Sequence, residues 1–175
     1  MTRMRNTVGF FLMVLALWGC GGGGPETETG ADPDPAAVMA ATPTESGYTI
    51  EIEANDAMKF NIRRFEVPAG VELRLVLNNV GVLNKQAMGH NWVLVSRETP
   101  VEIFVSDAVA SPKKEYLPEE WSESILAATA MTGGGEIVEV TFMTPSEPGE
   151  YVYLCTFPGH YYAGMKGVMV VTEGN

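Results

Sequence analysis

Glu150-Tyr-Val-Tyr-Leu-Cys155-Thr-Phe-Pro-Gly-His160-Tyr-Tyr-Ala-Gly-Met165-Lys-Gly167 joins a strand-like run to a short turn that carries a thiol, an imidazole and a thioether. Pro158-Gly159 can reverse the chain so that His160 swings back toward Cys155. Gly164 permits a tight bend that aims Met165 inward. Soft and borderline donors of this kind select copper or zinc over magnesium or calcium. Such a loop needs a rigid frame on either side, and the rest of the chain can be read for it.

Upstream, Tyr48-Thr-Ile-Glu-Ile-Glu-Ala alternates, so that Tyr48, Ile50, Ile52 and Ala54 share one face of a strand. Phe65-Glu-Val is a short strand-like piece, and Val67-Pro-Ala-Gly reads as a turn. Val71-Glu-Leu-Arg-Leu-Val-Leu alternates again and points Val71, Leu73, Leu75 and Leu77 one way, while Trp92-Val-Leu-Val is a shorter, wholly apolar run. Thr99-Pro100 opens a helix with Val101, Phe104, Val105, Ala108 and Val109 at helical spacing, Thr99 as its cap and Ser111-Pro112 as its stop. Ile125-Leu-Ala-Ala, Glu136-Ile-Val-Glu-Val-Thr-Phe, the Glu150 run after a Pro148-Gly149 turn, and Gly167-Val-Met-Val-Val supply further strands. About eight short strands and one inserted helix predict an all-β fold, an antiparallel Greek-key β-sandwich, over residues 48–173.

The start of the chain reads differently. Met1-Thr-Arg-Met-Arg-Asn-Thr is basic, Val8 to Trp18 is apolar, and Leu17-Trp18-Gly19-Cys20 is similar to the lipobox at which bacterial lipoproteins are cut and lipidated, with Trp18 larger than usual there. Residues 1–19 are thus expected to be a lipoprotein signal peptide, with Cys20 lipidated as the membrane anchor. Residues 20–47, with their Gly, Pro, Thr and Glu, read as a disordered tether. Removing residues 1–19 takes away Arg3 and Arg5 and no acid, leaving 11 − 2 = 9 Lys+Arg against 22 Asp+Glu. With no basic patch for phosphate backbones, nucleic acid is a poor partner. If Cys20 carries lipid, Cys155 has no disulfide partner, and a thiolate committed to a metal is protected in an oxidising compartment.

A second imidazole comes from His90, beside the Trp92 run, and the chain's 2 histidines both stand near potential co-ligands. Two His, one Cys and a weak axial Met are the ligand set of a blue-copper electron-transfer site, with zinc the main competitor on spacing alone. A copper-buffering or copper-delivery protein is the alternative function. Such sites tend to be Met- or His-rich and open, whereas the 10 methionines here are scattered.

Met88-Gly-His-Asn-Trp-Val-Leu, Cys155-Thr-Phe-Pro-Gly-His and Met165-Lys-Gly resemble the azurins and the tethered auracyanins, members of the cupredoxins. The resemblance runs from about Tyr48 to Val171 and includes Asn55-Asp-Ala-Met-Lys-Phe-Asn and Lys114-Glu-Tyr-Leu. It implies one copper per chain, held by His90, Cys155 and His160, with Met165 as the weak axial ligand and the Gly89 carbonyl on the opposite side. It implies that Asn91 braces the ligand loops near Thr156 and that the Phe157 amide hydrogen-bonds the thiolate. It also implies an apolar docking patch around Met88, Phe157, Pro158, Tyr161, Tyr162 and Ala163. The expected activity is one-electron transfer rather than enzymatic catalysis, on the periplasmic side of a bacterial membrane, by a monomer. The partner would be a c-type cytochrome, a quinol-oxidising complex or a terminal reductase. The chain departs from azurins in placing four residues between His160 and Met165, in lacking the early-strand disulfide, and in having no histidine shortly before His90. The last departure predicts a potential that varies little with pH.

Overall fold

The computed structural model describes residues 38–174. The signal peptide and Cys20 expected from the sequence lie outside the described residues. In chain order the elements are β1 (Met39–Ala40), β2 (Thr42–Pro43), β3 (Tyr48–Asn55), β4 (Lys59–Phe60), β5 (Arg64–Pro68), β6 (Glu72–Asn79) and α1 (Lys85–Met88). There follow β7 (Val93–Val95), α2 (Val101–Val109), β8 (Ile125–Ala128), β9 (Ile137–Met143), β10 (Gly149–Leu154) and β11 (Lys166–Thr172). One sheet has the order β1-β5-β11-β10-β7-β8; the other runs β2-β3-β6-β9, with β4 paired to β3.

The sandwich forms because each long strand has one apolar face to hide. Ile50, Ile52 and Ala54 of β3 and Leu73, Leu75 and Leu77 of β6 face Phe65, Val67, Tyr153 and Met169 of the other sheet in one buried core. Trp92 sits in this core, its ring centroid 5.4 Å from that of Tyr153 and 5.9 Å from that of Phe142. The second buried cluster explains the unbroken apolar run of β7. Leu94 faces the main core, while Val93 and Val95 pack with Phe104 and Val105 of α2, so the strand is covered on both sides.

Three expectations need correction. The sandwich is mixed rather than antiparallel, since β3 pairs parallel with β6 and β5 parallel with β11. The chain leaves one sheet after β3, passes through β5 in the other and returns as β6, and a crossover of that kind can bring strands back in the same direction. Within the stretch read as tether, β1 pairs with β5 and β2 with β3, and Ala41 is buried. Finally, Pro100 and not Thr99 occupies the helix cap position, with no side-chain cap bond; Thr99 Oγ1 lies 2.9 Å from Ser96 Oγ instead.

Register positions the loop between β10 and β11. β10 pairs antiparallel with β7 at Leu154↔Val93, so one step further the residues after β10 run alongside those before β7. β10 also pairs with β11 at Leu154↔Lys166, so Cys155 and Met165 meet at the neck of the loop.

Candidate metal centre

The loop after β10 closes on itself. The Cys155 amide donates to the Met165 carbonyl at 3.1 Å, the Met165 amide to the His160 carbonyl at 2.9 Å, and the His160 amide to the Phe157 carbonyl at 3.1 Å. Gly159 and Gly164 adopt φ of +86° and +93°, the left-handed region where a side chain is strained. These two glycines let so short a loop turn both His160 and Met165 inward. His160 is 2% exposed, and Met165 and Cys155 are fully buried.

His90 arrives on different elements. Asn84 caps α1 by accepting the Ala87 amide, and the helix gives way to extended chain at Gly89. His90 then exchanges backbone hydrogen bonds with Thr132, at 2.9 and 2.8 Å, and the Trp92 amide donates to Thr129 Oγ1. Asn91 ties this segment to the other loop: its Oδ1 accepts from the Thr156 amide at 2.9 Å, and its Nδ2 donates to Thr156 Oγ1 at 2.8 Å.

The result is a cluster of three donors. The ligand atoms of His90, Cys155 and His160 all lie within 4.8 Å of one another. Cys155 Sγ is 4.0 Å from His90 Nδ1, 3.5 Å from His160 Nδ1 and 4.0 Å from the Gly89 carbonyl oxygen. The residues pointed to His90, Cys155 and His160 and the resemblance added the Gly89 carbonyl; the fold brings these four together. Met165 is buried on the same loop.

Electrostatics disfavour charge in this space while it holds protein alone. Burial pushes the Cys155 thiol up to about 12, against the pull of the Asn91 and Phe157 backbone groups. Burial lowers His160 to about 4, helped by repulsion from His90. Burial likewise lowers His90 to about 4, opposed by the Asp56 charge and the Asn55 carbonyl. Among the described residues, His90 Nε2 nonetheless has no hydrogen-bond partner. The imidazoles are therefore neutral at neutral pH, with both Nδ1 atoms toward one sulfur. Nitrogen and sulfur donors spaced 3.5–4.0 Å apart can all reach one ion whose bonds are about 2.0–2.3 Å long. The donor set fits copper.

Some contributors were missed from the sequence. The Asn91 backbone group acts on the thiol beside that of Phe157, and Thr132 and Thr129 hold the His90 segment through bonds that carry no sequence signature. The expected docking patch divides. Tyr162 is 67% exposed, but Tyr161 turns inward, its hydroxyl 3.2 Å from Glu102 Oε1 and its ring 4.1 Å from the Lys166 ammonium.

A β-sandwich with a buried Cys-His-His cluster and a methionine on the same loop defines the class of blue-copper proteins. The profile of copper binding proteins of the plastocyanin/azurin family matches residues 47–172. The chain is 39% identical over 148 residues to auracyanin-B of Chloroflexus aurantiacus, a match covering 83% of this chain and 60% of auracyanin-B. It is 39% identical over 139 residues to azurin of Pseudomonas aeruginosa, covering 77% of this chain and 92% of the azurin. Dithionite-reduced auracyanin of Roseiflexus castenholzii superposes with a TM-score of 0.60 at 34% identity, covering 71% of this chain and 96% of that one. The chain belongs to the plastocyanin/azurin family: it is a cupredoxin with one copper per chain, an electron carrier and not an enzyme.

Proposed function

We propose that His90, Cys155 and His160 would hold the copper, with Met165 as a fourth, weaker donor and the Gly89 carbonyl oxygen close by. When bound, copper supplies the one-electron Cu(II)/Cu(I) couple. The chain's own residues do the rest. Asn91 locks the two ligand segments to each other through Thr156, and the Asn91 and Phe157 backbone groups favour the thiolate form of Cys155. The closed hydrogen-bonded loop resists movement of His160 and Met165 when the charge at the centre changes. The meeting of His90 and Cys155, 65 residues apart, carries this reading. Burial of all three donor side chains counts against a delivery protein, whose site must open to exchange metal.

The carrier works outside the cytoplasmic membrane as a monomer anchored through lipid on Cys20. The basic start, short apolar run and Gly19-Cys20 junction support this placement. A c-type cytochrome, quinol-oxidising complex or terminal reductase is the partner class. Contact is brief, on the face where Pro158, Gly159 and Tyr162 are exposed above His160.

The test is the absorption and EPR spectrum of the protein loaded with Cu(II). An intense blue thiolate-to-copper band with narrow hyperfine splitting, abolished in Cys155→Ser, is expected. A colourless protein that releases copper readily would move the reading to metal handling. Mass spectrometry of the protein from membranes should find lipid on Cys20, and Cys20→Ser should release the protein into the soluble fraction.

A further inference from the structure

The chain carries a formal net charge of −11, yet one groove has the opposite character. It encloses about 540 Å³ and is lined by Arg63, Arg64 and Lys166, by the apolar side chains of Val101, Val152 and Val168, and by Glu102 and Tyr161. Acids bear on the groove as well. Glu102 meets the Tyr161 hydroxyl, and Glu150 pairs with Arg64 at 2.6 Å. The Lys166 ammonium lies over the Tyr161 ring, 4.1 Å from its centroid. Tyr161 and Lys166 directly follow His160 and Met165, so whatever fills the groove rests against the outside of the ligand loop.

We propose that this groove docks an acidic segment of a protein partner, with carboxylates on Arg63, Arg64 and Lys166 and an apolar side chain against the valines. Charge complementarity selects this occupant. A local excess of cations on an acidic protein attracts only what brings negative charge to that one place, and it fixes orientation as well as rate. Concavity favours a protein over a lipid surface. A cavity of this size accepts side chains, whereas a flat anionic bilayer would also meet the chain's acid excess. The use of the groove in electron exchange rests on the carrier reading above; its existence does not.

The test reads binding alone. The peptide Asp-Glu-Phe-Glu-Asp-amide, carrying carboxyfluorescein on its N-terminal amine, is titrated into the full-length copper-loaded protein and followed by anisotropy. Binding that weakens about tenfold between 20 and 200 mM salt is expected, because screening shortens the reach of these charges. Arg63→Gln should weaken it about fivefold and Arg63→Lys restore most of the loss. Glu102→Gln, which keeps an acceptor for Tyr161, should tighten it about twofold. Arg74→Gln removes the same charge from the other sheet and should leave it unchanged. The blue band, intact in each variant, reports that the fold survives. Absence of binding, or equal weakening by Arg63→Gln and Arg74→Gln, overturns the proposal. So does Arg63-dependent binding to phosphatidylglycerol vesicles without binding to the peptide, since that assigns the groove to a membrane surface.

Discussion

At the scale of single residues, the metal centre is a place where burial has removed every proton-driven alternative to metal binding except one. With His90 and His160 both held near 4, neither imidazole has to lose a proton to bind copper at neutral pH. Cys155, held near 12, must lose one. Copper uptake should therefore release one proton, and the logarithm of the apparent affinity should rise with a slope of about one per pH unit from pH 5 to 8, steepening below about pH 4. Competition titrations against a copper chelator at several pH values check this; a slope near two across pH 5–8 would mean a histidine is charged in the metal-free protein. The same shifts govern stability without metal. The unfolded imidazoles titrate near 6.5 and the folded ones near 4, so below 6.5 the unfolded chain binds more protons and stability falls as pH drops toward 4. At the other end the folded thiol holds its proton to about 12 against 9 when unfolded, so stability falls as pH rises from 9 toward 12. Denaturant midpoints of the metal-free protein should then be highest between about pH 6.5 and 9. Beside the centre, a Cβ on Gly167 would lie 2.3 Å from the Tyr153 ring and 2.6 Å from the Arg63 carbonyl oxygen. Tyr153 cannot yield, because its hydroxyl donates to the Ile62 carbonyl at 2.6 Å. Gly167→Ala should cost about 1–3 kcal/mol in urea unfolding.

At the scale of elements, the frame and the covering pieces answer differently to mutation. Phe104 of α2 is fully buried in the cluster on the outer face of β7, a different cluster from the core that holds Cys155 and Met165. Phe104→Ala should lower stability by about 3–5 kcal/mol and leave the blue absorption of the folded protein unchanged; a shifted band would mean that α2 helps set the ligand geometry. How legible each element was in the sequence follows from its number of one-sided contacts. β3 and β6 alternate because one face is buried and the other wet, and Leu73, Leu75 and Leu77 are wholly buried as read. β7 could be recognised by its apolar content but not by alternation, since α2 covers its second face. β1, β2 and β4 are two residues long and carry no period at all, so residues 39–43 read as tether in the sequence. α1 is a single turn and escaped for the same reason. At the centre, side-chain donors were legible because chemistry restricts their types. The Asn91 backbone group and the Thr132 bridge were not, because any residue can supply an amide or a carbonyl.

At the scale of the whole molecule, the chain's 2 histidines are both in the centre, which limits how protons can couple to electron transfer. A potential shifts by 59 mV per pH unit when one proton accompanies one electron. For that to happen between pH 5 and 8, a group near the copper must change its pKa when the charge changes. No imidazole beyond His90 and His160 occurs in this sequence, so on the proposed ligand set the imidazole route is for His160 to turn away and take up a proton. The fold opposes that route. His160 is 2% exposed, its amide is tied to the Phe157 carbonyl, and its carbonyl is tied to the Met165 amide. Its ring is flanked by Phe157 with centroids 4.7 Å apart and by His90 at 4.9 Å. A charged imidazole turned within this space would meet a ring on either side, where burial already disfavours its charge. Protein-film voltammetry should therefore show a midpoint potential nearly flat from pH 5 to 8, with a slope well below 59 mV per unit. A slope approaching that value would mean that His160 does swing away on reduction. Its companion sign would be a reduced protein whose electron exchange slows in acid while the oxidised form keeps its blue band.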